Sequence, residues 1–305
     1  MKPPFPSLTE AYHSTSYDAI SPTRHELSVA HKTVVVTGGG RGLGPEIARA
    51  YAAAGASHLV LLGRTQATLS QTAEKIEKEF PSVSVTTHTA DVADEAAVGK
   101  AAEKVGKWDV LILNAGVLAE PRSVAESDPT DWWRVFETNV KGAMVTTRAF
   151  LPLRNNDASL IALNANLITV PESSPFAMGA SAYNCSKLAQ LKLLQYVSVE
   201  NPDLFVVSAH PGAVDTDMLR SSGLGDKIDP AMFDDVSLSA HFLLWLASKE
   251  ARFLKGKFVC ANWDVEELKG KAKLIETTSI LEASIHGFPY GGAMDAMLAQ
   301  TEGGK

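Results

Sequence analysis

Thr33-Val34-Val35-Val36-Thr37-Gly38-Gly39-Gly40-Arg41-Gly42-Leu43-Gly44 runs from a β-branched segment straight into a glycine-rich turn. Branched side chains pack well on a pleated, buried surface, so Thr33 to Val36 predicts a strand. Beyond the turn, Glu46-Ile47-Ala48-Arg49-Ala50-Tyr51-Ala52-Ala53-Ala54 is built mainly of helix formers. A strand that enters a helix through glycines is the place where backbone N–H groups and a helix N-terminus can hold a pyrophosphate. Gly38, Gly42 and Gly44 would permit tight turning, backbone approach to phosphate and close helix packing, with Arg41 and Leu43 between them. Without these flanks the same glycines would be only a flexible connection, so the context is what predicts dinucleotide binding.

The alternation continues outward from this turn. Strands are predicted at His58 to Leu62, Val83 to His88, Val110 to Leu113, Leu160 to Leu163, Leu204 to Ser208 and Phe258 to Cys260. Helices fall between them, near Leu69 to Phe80, Glu95 to Val105, Asp131 to Leu151, around Tyr183 and Lys187, and at Val236 to Ala247. Short apolar strands alternating with helices predict a parallel sheet covered on both faces, an α/β doubly wound (Rossmann) fold in a single domain, residues 33–265. Residues 1–32, with prolines at 3, 4, 6 and 22 and no sustained period, form an irregular N-terminal arm. Residues 266–305 form a C-terminal extension with one helix ahead of His286-Gly287-Phe288-Pro289.

With 305 residues, 45% of them hydrophobic, the chain can bury a large core. Its 28 basic and 35 acidic residues give a net charge of -7, and no basic cluster points to nucleic acid or an anionic membrane. A small-molecule partner is expected instead. The N-terminus lacks the apolar core of a signal peptide and no stretch is long enough to span a bilayer, which predicts a cytoplasmic protein. Two cysteines occur, Cys185 and Cys260, and no disulfide is expected. No metal site is predicted.

Dinucleotide sites that prefer NAD place an acid about 20 positions beyond the turn, at the end of the second strand, to bind the ribose 2′-hydroxyl. Here that place reads Gly63-Arg64. Arg64 and Arg41 could clasp a 2′-phosphate with charge-assisted bonds, so NADP is expected rather than NAD. A surface arginine at a strand end is the plainer explanation of Arg64.

Tyr183 and Lys187, in Ala182-Tyr183-Asn184-Cys185-Ser186-Lys187, stand four residues apart, which stacks phenol and ammonium on one helix face. A neighbouring cation favours phenolate and is expected to lower the phenol pKa from about 10 towards the working range of an acid/base. The same spacing also occurs on solvated helix faces, and the pair gains meaning from its surroundings.

Taken together, the Thr37 to Gly44 turn, Asp91-Val92, Asn114-Ala115-Gly116, Asn139, the Tyr183/Lys187 pair and Pro211-Gly212-Ala213-Val214-Asp215-Thr216 resemble the short-chain dehydrogenase/reductase family, in that family's order. The resemblance covers about Thr33 to Trp263. The arm and Phe258-Val259-Cys260-Ala261-Asn262-Trp263-Asp264-Val265 look like a branch common in fungal secondary metabolism. It implies that Asp91 binds the adenine amine, beside Val92, and that Asn114, Ala115 and Gly116 pack the adenosine side. It implies also that Pro211, Gly212, Val214 and Thr216 line the nicotinamide. Tyr183 would protonate a substrate carbonyl oxygen as hydride arrives. Lys187 would hold the ribose hydroxyls and lower the Tyr183 pKa, and Asn139 would anchor a water that passes protons to Lys187. Homo-oligomers, dimers or tetramers, are usual in the family. Asp91 as a helix N-cap, Pro211-Gly212 as an ordinary turn and Asn139 as a helix-kink residue are the structural alternatives.

One position departs from the family pattern. Where a serine steadies the substrate oxygen, this chain reads Leu163-Asn164-Ala165-Asn166, with Ala165 at the serine position. Asn164, Asn166 or a loop hydroxyl such as Ser173 or Ser174 could replace the contact. Tyr183 and Lys187 could instead suffice for an activated substrate such as an iminium or conjugated ketone, or the chemistry could be a non-redox isomerisation, elimination or cyclisation. A non-catalytic nucleotide sensor is a further alternative. Substrate choice is expected to lie in the loop Leu167 to Ala180 and the segment Asp217 to Pro230, where Met218, Leu219, Leu224 and Ile228 suggest an apolar pocket or lid, joined by Met232 and Phe233 just beyond it.

Overall fold

The computed structural model describes residues 7–175, 177–225 and 228–284. Seven strands form one sheet: β1 (Thr33–Thr37), β2 (His58–Gly63), β3 (Ser84–Thr89), β4 (Trp108–Leu113), β5 (Arg154–Leu163), β6 (Phe205–His210) and β7 (Phe258–Cys260). The order is β3-β2-β1-β4-β5-β6-β7 and every pairing is parallel. All strands therefore end on the same edge of the sheet, and the order reverses between β1 and β4, opening a crevice beyond their carboxyl ends.

Helices cover both faces because strand residues alternate their direction. Val34 and Val36 of β1, with Leu59, Leu61, Ile112, Ile161 and Val207, pack in one core with Ile47 and Tyr51 of α1 (Gly44–Ala53), Leu69 and Ile76 of α2 (Gln66–Glu79). Val35, Val60, Leu62, Leu111, Leu160 and Val206 face the other way, onto Val98 and Ala102 of α3 (Glu95–Val105). With the two cores this sheet is the doubly wound α/β fold that the alternation predicts.

The predicted helix from Asp131 to Leu151 is divided. It runs as α4 (Pro129–Phe136), a π-helical turn at Glu137–Lys141 and α5 (Gly142–Phe150). Asp128 caps α4, accepting from the backbone N–H groups of Thr130 and Asp131. β5 begins at Arg154 rather than Leu160, because its polar first half continues the pairing through a register shift opposite Trp108 and Val110. The motif helix is α6 (Ser181–Glu200), followed by α7 (Asp217–Ser221) and α8 (Val236–Leu246). Beyond β7 stand α9 (Val265–Gly270) and α10 (Ala272–Thr277), two short helices, and His286 to Pro289 lie outside the described residues. The arm packs along the domain: Ile20 and Leu27 are fully buried in the first core, and Tyr12 forms an antiparallel bridge with Trp263.

Candidate active site

The glycine turn closes as the sequence predicts, and the structure gives the reason for individual glycines. Gly38 and Gly42 have φ of 66° and 58°, a region that side chains other than glycine's rarely enter. A Cβ on Gly44 would stand 2.1 Å from the Gly38 carbonyl oxygen, so only glycine lets α1 begin there. A Cβ on Gly38 would fall 2.8 Å from Asn114 Nδ2. That contact marks how the turn is tied to the Asn114-Ala115-Gly116 loop. The Asn114 amide donates to the carbonyls of Thr37 (2.8 Å) and Gly38 (3.1 Å), and Thr37 Oγ1 accepts the backbone N–H groups of Asn114 and Ala115, both at 3.0 Å. The same hydroxyl donates to the Ile112 carbonyl. One threonine at the end of β1 thus fixes two loops that a dinucleotide would touch.

Tyr183 and Lys187 lie on α6 with the ammonium 5.9 Å from the phenol ring centroid. Lys187 is only 4% exposed, and its Nζ donates to the Leu163 carbonyl at 2.7 Å and to Gln190 Oε1 at 3.1 Å. Asn139, fully buried in the π turn, accepts the Val117 N–H and donates to the Val117 carbonyl and to Ser186 Oγ, each within 3.0 Å. Ser186 passes the link back to the motif by donating to the Tyr183 carbonyl at 2.7 Å. A Cβ on Gly116 would meet Asn139 Oδ1 at 3.3 Å and Lys187 Nζ at 3.8 Å, so this glycine is the point where Asn139 and Lys187 converge. Single π turns inside α-helices are frequent at functional sites.

The electrostatics run against the expected lowering of the phenol pKa. Burial pushes the Tyr183 phenol up to about 12 and the Lys187 ammonium down to about 7. Desolvation penalises the charged form of each group and is the cause of both shifts. Tyr183 consequently keeps its proton at neutral pH, while Lys187 titrates within the physiological range.

These residues line a cleft of about 910 Å³ at the carboxyl ends of the strands. Of the sequence-predicted positions, Gly38, Arg41, Gly42, Leu43, Arg64, Asp91, Val92, Asn114, Ala115, Gly116, Tyr183, Lys187, Pro211 and Thr216 border it. Gly44, Asn139, Gly212 and Val214 are not among its lining residues. Arg64 and Arg41 are exposed, and Arg64 lies 4.0 Å from the Asp91 carboxylate. Asp91 is not the cap of α3: Asp94 is, while Asp91 Oδ1 accepts the Ala93 N–H.

Around the substrate end, Asn164 borders the cleft, whereas Asn166, Ser173 and Ser174 are not among its lining residues. The Asn164 amide spends one N–H on the Lys187 carbonyl (3.0 Å), and its oxygen accepts the Ala165 N–H (2.8 Å). Among the apolar residues expected to form a lid, Met218 alone borders the cleft among the described residues. Trp132 and Ser181 line it too, and no expectation included them. The Trp132 indole donates to Ser181 Oγ at 3.1 Å, at the first turn of α6. Their separation by some fifty residues left no local signal. Cys185 is exposed and Cys260 is buried; both are free thiols.

Among the described residues no helix is long and apolar enough to cross a membrane, and no group of metal-ligating side chains gathers. The sequence profile of the short chain dehydrogenase family matches residues 32–226. The chain is 35% identical over 272 residues to the short chain dehydrogenase mpl6 of Monascus purpureus, covering 86% of this chain and 91% of that protein. It is 34% identical over 267 residues to a short chain dehydrogenase/reductase of Claviceps purpurea, covering 86% and 88%. A short chain dehydrogenase from Salmonella enterica serovar Typhi superposes with a TM-score of 0.71 at 27% identity, over 78% of this chain and 98% of that one. One from Shigella flexneri, complexed with NADP, superposes with a TM-score of 0.69 at 25% identity, over 78% and 99%. The seven-stranded parallel sheet, the glycine turn at its switch point and these matches make the chain a member of the short-chain dehydrogenase/reductase family of oxidoreductases.

Proposed function

We propose that the chain is an NADP(H)-dependent oxidoreductase that reduces a carbonyl or imine of a small organic substrate, or oxidises the corresponding alcohol. The observation that carries this reading is the single cleft joining the glycine turn to Tyr183 and Lys187. The fungal relatives fit a secondary-metabolite substrate. The glycine turn suits a dinucleotide, since it joins β1 to α1 at the mouth of the cleft and Gly38 and Gly42 border that cleft.

In this reading Gly38, Gly42, Leu43 and Gly44 hold the pyrophosphate on backbone N–H groups, and Arg41 and Arg64 take the 2′-phosphate. Asp91 and Val92 receive the adenine, Asn114, Ala115 and Gly116 pack the adenosine, and Pro211, Gly212, Val214 and Thr216 form the nicotinamide wall. NADPH, when bound, supplies the hydride. Tyr183, neutral at working pH, donates its Oη proton to the substrate oxygen or nitrogen. Lys187 keeps one N–H free of the two bonds it makes and directs it to the ribose hydroxyls. Asn139 fixes the loop at Val117 and Gly116 beside the ammonium, where protons can be relayed to Lys187. Asn164 offers its remaining amide N–H to the substrate oxygen, the role Ala165 cannot fill.

A non-redox reading draws on one observation: Ala165, where the family pattern has a serine, is buried and carries no hydroxyl. There Tyr183 moves a proton within an isomerase, dehydratase or cyclase reaction without hydride transfer. NADPH oxidation with carbonyl substrates, lost in Tyr183→Phe, supports the reductase. Substrate conversion without nucleotide consumption supports the second reading.

We propose further that the chain forms homo-oligomers. Leu188, Tyr196 and Val199 are exposed along one face of α6, and Met144 is exposed on α5. Sedimentation of the purified protein tests this, and a monomer at micromolar concentration contradicts it.

A further inference from the structure

The arm grips the segment that leads from β7 into α9 through several bonds. Glu10 and Ala11 donate backbone N–H groups to the Glu267 carboxylate, both at 2.8 Å, and Thr9 Oγ1 accepts the Asp264 N–H. His13 and Asn262 pair reciprocally: the His13 N–H donates to the Asn262 carbonyl at 2.8 Å, and the Asn262 amide donates back to the His13 carbonyl at 2.9 Å. The His13 ring stacks on Tyr17, with centroids 3.6 Å apart, and its Nε2 lies 2.9 Å from Asp264 Oδ2. Asp235, at the start of α8, donates its N–H to the Ser14 carbonyl at 2.8 Å.

Asp234 stands between this assembly and the loop after β6. Its Oδ2 accepts the Ala213 N–H at 2.7 Å, and its own N–H donates to the Ala213 carbonyl at 2.7 Å. Gly212, with φ of 96°, lies so close that a Cβ there would stand 2.6 Å from the same oxygen. Burial raises the pKa of this carboxylate, Asn262 stands near enough to draw it down against that rise, and the arm's Tyr12 phenol feels its charge. Asp234 is thus seated by arm-held residues on one side and seats Gly212 and Ala213 on the other.

We infer that the N-terminal arm is a brace for the Pro211 to Thr216 loop, with Asp234 and Asn262 as its positioning residues. The inference rests on the proposed cofactor reading, in which that loop forms the nicotinamide wall. Neither residue borders the cleft, so each acts through the loop rather than on a ligand.

The test compares binding of NADPH with binding of 2′-phospho-AMP, which lacks the nicotinamide half, by calorimetry on the full chain. Losing one charged acceptor is expected to weaken NADPH about tenfold in Asp234→Ala while leaving 2′-phospho-AMP within about twofold. Asp234→Asn, which keeps an oxygen acceptor in place, should recover most of the NADPH affinity. Asn262→Ala should show the same selective loss, and carries the comparison alone should Asp234→Ala not fold. Unchanged NADPH affinity in these variants, or equal weakening of both ligands, overturns the brace. Failure of the unaltered protein to bind NADPH is a distinct result that overturns the cofactor reading and the inference with it.

Discussion

Lys187 Nζ is bound to the Leu163 carbonyl at 2.7 Å, so the last residue of β5 holds the ammonium that the motif helix presents. The cation is fixed by the sheet and not by the phenol, whose ring centroid is 5.9 Å away. This bond sets the charge at the centre of the site, because the backbone carbonyl and Gln190 are the neutral groups that compensate its burial.

Lys187 should make stability depend on pH. Its pKa falls from about 10.5 in the unfolded chain to about 7 in the folded one, so the unfolded state binds more protons between those values. Stability therefore rises with pH across that window, and the cost of charging the buried amine is fully present below it. Denaturant unfolding from pH 7 to 9.5 should show a rise in the unaltered protein that is absent in Lys187→Met. Parallel profiles in the two proteins would mean that Lys187 is not desolvated as described.

Thr37 should matter for stability well beyond its size. It is 1% exposed, and its hydroxyl accepts the N–H groups of Asn114 and Ala115. Thr37→Val keeps the shape and strands both donors, which should cost about 2–4 kcal/mol. Urea titration measures it, and a loss below about 0.5 kcal/mol would show that other groups satisfy the two amides.

Arg64→Asp should reverse cofactor choice. The arginine is exposed at the end of β2, on the border of the cleft, where an acid would repel a 2′-phosphate and accept bonds from a 2′-hydroxyl. The ratio of NADPH to NADH affinity should fall by about tenfold or more, since charge-assisted contacts to phosphate are lost and a repulsion gained. An unchanged ratio would place the 2′-phosphate elsewhere.

Asn164→Ala should lower kcat by roughly 10²–10³, the usual cost of one oxyanion donor, with a smaller change in NADPH affinity. Ser173→Ala and Ser174→Ala should leave kcat near its starting value, because neither residue is among those lining the cleft. A full loss in a serine variant with Asn164→Ala active would move the oxyanion contact to the loop.

The fold was legible because its signals are local. The β-branched run, the glycines and the alternating periods each sit within a dozen residues, and sterics leave them few alternatives. The pairing of Tyr183 with Lys187 was legible for the same reason. What the sequence hid is what long-range packing decides. The π turn at Asn139 has no spacing signature, and the polar first half of β5 gains its strand from its neighbours. The Trp132 to Ser181 bond and the seating of Asp234 on Gly212 join distant segments. The phenol pKa was misjudged because spacing reports a neighbour's charge and says nothing of desolvation, which dominates once both groups are enclosed.

In the proposed reaction hydride passes to a substrate which Tyr183 protonates. Its most direct test uses NADPH deuterated at the transferable nicotinamide position and mass analysis of the product, for the unaltered protein and Tyr183→Phe. One deuterium per product molecule is expected in the unaltered protein and at least a hundredfold less product in the variant, the lower range for loss of a positioned general acid. Product formed without deuterium, or formed equally well by Tyr183→Phe, would contradict it.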